Sequence, residues 1–228
     1  MGYLVKYLFM SYLSLFSFVE LIGIRSEDSR VLKYQKKMLE ELDPVRVPYK
    51  RIRPGICKFL RDGFDKSVIQ DTMENIALWR PETKRSKTEK ENSLLALKNI
   101  MLMSFPDYGN LVVKHRPDSY LLKIAGITIK VSYDALISYN DKDGKQHVGA
   151  IKTKLKKEGF TYEDAEISSC LLFKALQRQF PGAVVEKDMC FCFNPFSMRM
   201  IVAKNVEANY LKAMKVAIKL SGVGDVAA

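Results

Sequence analysis

A chain of 228 residues, 47% of them hydrophobic, can bury a proper core, which excludes a disordered polypeptide and points to one domain with a helical extension. Lys plus Arg number 37 against 26 Asp plus Glu, a net charge of +11, and such a surface favours polyanions because it attracts phosphates and releases their counterions. Four cysteines without paired C-x-x-C units, and only two histidines, argue against a structural zinc site or a histidine-rich metal centre.

The charge-free run Tyr7 to Val19 is the most hydrophobic piece of the chain. A spanning helix needs about 20 apolar residues, and extending this run to Ile24 would carry Glu20 into lipid. Two readings stay open: a membrane anchor or uncleaved signal, with possible membrane contact through residues 7–24, or a helix packed on the body or residues outside the functional start. The first gives a membrane-anchored protein. The second, with cysteines that read as reduced and buried, gives a cytoplasmic one.

From Ser29 to Leu42 the spacing of Val31, Tyr34, Met38 and Leu42 predicts a helix, ended by Asp43-Pro44. A second helical region runs from Gly55 to Trp79, with a break expected near Gly63. The segment Arg80 to Lys90, RPETKRSKTEK, interrupts the periodicity. It reads as an exposed basic loop in which Lys84, Arg85 and Lys87 meet phosphates, or as a plain solvated connector. Thr88 to Glu91 has capping-box spacing and is expected to open the next helix. Pro106 to Asn110 is a turn, Leu111 to His115 a short strand, and Pro117-Asp118 another turn.

Two strands around Ala125-Gly126 lead into the most informative stretch, Ile127 to Lys157. Apolar residues alternate at Ile127, Ile129 and Val131, Asp134 falls at a strand end or bend, and Ala135 to Ile137 continue. Asn140 to Gly144 supplies a hairpin turn, and a second strand runs from His147 to Leu155 with Ala150, Lys152 and Lys154 on one face. Lys154, Lys156 and Lys157 extend the positive charge where a phosphate backbone would pass. Thr161 caps a helix ending at Pro181-Gly182, and Ala165, Ser168, Leu172 and Gln179 trace one side of it. Strands follow at Ala183–Glu186, Met189–Asn194 and Arg199–Ala203, and a last helix runs from Val206 to Leu220.

A strand ending in Asp134, a hairpin, Ala150-Ile151-Lys152 and then a helix resembles the PD-(D/E)xK superfamily of restriction-endonuclease-like nucleases. The resemblance implies a Mg²⁺ (or Mn²⁺) site in which Asp134 ligates the metal, the motif acid supplies a second ligand and Lys152 orients or activates the attacking water. Ala150 stands where that acid is expected. Either the acid has migrated, with Glu91 (or Glu89) and Glu166 as candidates, or the protein is a binding-only relative, or Ala150 replaces an acid.

The expected fold is α/β, a mixed central β-sheet flanked by helices. Residues 1–28 form a hydrophobic segment, 29–105 a helical region and 106–228 the core. The expected function is a nucleic-acid-acting protein, with DNA the first expectation: a Mg-dependent nuclease of divergent or inactivated site. The alternatives are an inactive nuclease-fold binding module or a membrane-tethered interaction protein.

Overall fold

The computed structural model describes residues 12–42, 49–106, 112–114, 119–158 and 160–224. Its strands are β1 (Leu13–Ser14), β2 (Val112–Lys114), β3 (Ser119–Ile124), β4 (Ile127–Ser132), β5 (Ala135–Asn140), β6 (Gln146–Thr153), β7 (Val184–Asn194) and β8 (Arg199–Val202). They form a three-stranded sheet of order β1-β4-β3 and a five-stranded sheet of order β2-β5-β6-β7-β8. The run from Ile127 to Asn140 therefore serves both sheets, bending at Tyr133 and Asp134. The Asp134 N–H donates to the Ile151 carbonyl at 2.8 Å, so pairing to β6 persists through the bend.

The helices are α1 (Leu15–Ile22), α2 (Glu27–Leu42), α3 (Arg53–Arg61), α4 (Lys66–Leu78), α5 (Lys84–Leu102), α6 (Tyr162–Gln179) and α7 (Val206–Gly224). The protein is thus a mixed α/β structure. Antiparallel pairing of β5 with β6, and parallel pairing of β6 with β7, aligns Leu136, Ala150 and Cys190 on one face and Ala135, Ile151 and Phe191 on the other. The first face packs against α1, α6 and α7, the second against α3, α4 and α5. With both faces covered, β6 reads as a nearly continuous buried strand. The helical region thus supplies half of the covering of the five-stranded sheet.

Several local expectations need correction. The helix expected to open at Thr88 begins at Lys84, because the Thr83 hydroxyl accepts from Ser86 N–H at 3.1 Å and the Ser86 hydroxyl oxygen accepts from Thr83 N–H at 3.0 Å. Serine does at the third position what Glu91 was expected to do. Within the basic segment Arg80 to Thr83 lead into α5, and Lys84 to Lys90 form its first two turns and not a loop, with Lys84, Arg85 and Lys87 exposed. The break near Gly63 is present, with Gly63 at φ 71° between α3 and α4. α6 is capped as expected by Thr161, paired reciprocally with Asp164, but it is buried on more than one side because α1 and α7 cover what the sheet leaves open. The strands expected at Ala183–Glu186 and Met189–Asn194 are a single strand, β7. The turn at 107–110, Pro117-Asp118 and residues 7–11 lie outside the described residues.

One glycine positions β6. A Cβ on Gly149 would sit 2.2 Å from the Met189 Cβ and 2.5 Å from its carbonyl oxygen, where the pairing of β6 with β7 shifts register between Val148 and Ala150. Gly149→Ala must push the backbones apart, and urea unfolding should register a loss of about 3 kcal/mol.

Candidate functional site

Asp134 stands at the bend just before β5, with its N–H bonded to the Ile151 carbonyl of β6, and its carboxylate meets the Lys152 ammonium next along that strand. The Lys152 ammonium donates to Asp134 Oδ1 at 3.2 Å and to the Ser132 hydroxyl at 3.1 Å. Asp134 Oδ2 accepts from the Thr153 N–H at 2.7 Å. Arg53, in the first turn of α3, brings its Nη1 to 3.7 Å from Asp134 Oδ1. Asp134 and Lys152 are only 7% and 8% exposed, so this ion pair is buried. Two buried polar atoms on its partners, Arg53 Nε and the Thr153 hydroxyl, have no hydrogen-bond partner among the described residues. The Cys57 thiol, within the field of this group, is pushed up by burial and by the charge of Asp134.

Beyond Lys152 the chain stays extended, with Lys154 N–H donating to the Phe193 carbonyl at 2.9 Å, so Lys154 and Lys156 emerge in sequence along one track. Both reach Glu20 of α1, at 3.7 Å and 2.8 Å, and Lys37 of α2 reaches the same carboxylate at 3.0 Å. Lys154 also lies over the Phe16 ring, 4.3 Å from its centroid. Burial pulls its ammonium down to about 8, helped by the charges of Lys156 and Lys37 and opposed by that of Glu20. Burial alone would push the Glu20 carboxyl up, but hydrogen bonds from Lys156 and Lys37 and the charges of Lys37 and Lys154 outweigh it and hold the group at about 2.

A carboxyl depressed from 4.5 to about 2 adds stability that is complete above pH 4.5 and is lost as pH falls towards 2. The difference in unfolding free energy between wild type and Glu20→Gln should therefore shrink across that window. Its full size is on the order of 1–3 kcal/mol, the lower figure reflecting solvent screening.

The other predicted ligands are not brought to Asp134. Glu166 accepts from the side-chain amides of Asn205 and Asn209, each at 3.2 Å, and so ties α6 to the start of α7. Glu91 is exposed on α5, while Glu89 is half-buried and its charge adds to the burial that pushes the Tyr49 hydroxyl up. Among the described residues no three of His, Cys, Asp and Glu are grouped to hold a metal ion. The described residues around Asp134 do not fit Mg²⁺: one carboxylate among them, already engaged through both oxygens, is surrounded by donors. Lys157 is exposed and donates to Asn92 of α5 at 3.5 Å, which joins the lysine track to the helix carrying Lys84, Arg85 and Lys87. Asn92 lies about 8 Å of helix rise beyond Lys87.

Sequence reasoning missed Glu20, Lys37 and Arg53. Glu20 entered only as an obstacle to a spanning helix, although an acid closing an apolar stripe in so basic a chain was a signal for a buried partner. The described part of the stretch read as an anchor or a packed helix begins at residue 12. Residues 13–14 pair parallel to β4, and Leu15, Phe18, Val19, Leu21 and Ile22 are buried in the core, so this stretch is held by the body of the protein. Among the described residues no helix is long and apolar enough to cross a membrane. No protein-family model and no curated protein matches the chain.

Proposed function

We propose that the protein binds nucleic acid without cleaving it, along the track Lys152, Lys154, Lys156 and Lys157 and onward to Lys84, Arg85 and Lys87. The observation that carries this reading is the charge balance of the track. Among the described residues Lys152, Lys154, Lys156, Lys37 and Arg53 converge on two carboxylates, Asp134 and Glu20, which leaves an excess of positive charge suited to phosphate oxygens. The order of elements that resembles a PD-(D/E)xK nuclease supports a phosphodiester ligand, while the donor set at Asp134 favours holding that ligand over hydrolysing it.

Fluorescence anisotropy with labelled single- and double-stranded oligonucleotides tests this directly. Affinity should fall by roughly tenfold or more between about 50 and 200 mM salt, and the strands should emerge intact after incubation with Mg²⁺ or Mn²⁺. Metal-dependent cleavage that disappears in Lys152→Ala would replace this reading with a nuclease. No binding at low salt would end it.

A further inference from the structure

Glu20 stands out among the ion pairs because one carboxylate is held by three ammonium groups from two different elements. Lys37 comes from α2, and Lys154 and Lys156 from the extension of β6. Among the described residues no other carboxylate pairs with those three lysines, and within that set three positive charges face one negative. Three donors converging on one planar anion resemble the coordination a tetrahedral phosphate takes from lysines. The cluster also lies on the same track as Lys152, and Lys154 is backed by the Phe16 and Phe160 rings, at 4.3 Å and 5.9 Å, which hold its ammonium in place.

We propose that Lys37, Lys154 and Lys156 form a phosphate seat that Glu20 occupies in the free protein, so that a phosphate group enters by displacing the Glu20 carboxylate. The inference rests on the proposed phosphodiester-binding function and adds its regulation: α1 carries a built-in competitor for one of the contacts. Because α1 is packed into the core through Leu15, Phe18 and Leu21, displacement needs only the Glu20 side chain to swing towards solvent while the helix stays in place.

The test compares wild type with Glu20→Gln at mildly acidic pH, where Lys154 stays charged, using a labelled oligonucleotide in one arm and inorganic tripolyphosphate in the other. Glu20→Gln should bind the oligonucleotide roughly tenfold more tightly, with a salt slope steeper by about 1, and adding Lys156→Met should erase the gain. Tripolyphosphate should raise the melting temperature of Glu20→Gln more than that of wild type. In wild type, it should also protect Lys37 and Lys156 from acylation, a readout that does not need the variant to fold.

If oligonucleotide binds both proteins equally and tripolyphosphate neither discriminates between them nor protects the lysines, the seat is refuted and the binding function stands. If tripolyphosphate behaves as expected but no oligonucleotide binds either protein, the seat stands for free polyphosphate and the nucleic-acid reading fails.

Discussion

Ala150→Glu will strongly destabilise the protein, and it will not furnish a second metal ligand. Ala150 is fully buried, with Leu136 of β5 and Cys190 of β7 as its lateral neighbours, and it belongs to the core that α6 covers with Leu171 and Leu172. A glutamate there adds volume to a packed layer, which costs about 1–3 kcal/mol. It also brings a carboxylate with no partner into an apolar layer, which costs several kcal/mol more or forces the group to stay protonated. A loss above about 4 kcal/mol lowers the melting temperature by roughly 10 °C or more in a chain of this size. Thermal unfolding followed by circular dichroism measures it. A variant that melts within a few degrees of wild type would mean that the position opens to a cleft. The same packing argues that alanine is the native fit at this place and no silenced acid.

Asp134→Ala should be nearly as severe, for a different reason. The substitution strips the Lys152 ammonium of its buried counter-charge, leaving it the Ser132 hydroxyl among the described residues, and removes the acceptor of the Thr153 N–H. Breaking one side of a buried pair costs about 3–5 kcal/mol, because the surviving charge is stranded. Lys152→Met introduced into Asp134→Ala removes that stranded charge and should return more than half of the loss. Urea unfolding of the four proteins in a double-mutant cycle should yield a coupling of at least about 2 kcal/mol. A near-neutral single variant would show that the pair contributes nothing to the fold and is held for its ligand alone. The first substitution probes the room beside the lysine, the second the charge facing it.

The sequence by itself determined the hairpin of β5 and β6 and the bend at Asp134. Each follows from short-range rules: alternation places residues on faces, and Asn140 to Gly144 sets the turn that sets the register. The mixed α/β class was legible for the same reason, since the periods of helices and strands are local. The start of α5 was not, because Ser86 can close a cap as well as glutamate can and nothing in the spacing chooses between them.

Only the tertiary structure decided which charges meet. Glu20 and Lys156 are 136 residues apart, and the Arg53 contact with Asp134 depends on how α3 docks against the sheet. No periodicity encodes such pairings. They arise when apolar faces close and leave the remaining charges to find one another at the margin, where a buried charge without a partner is too costly to keep.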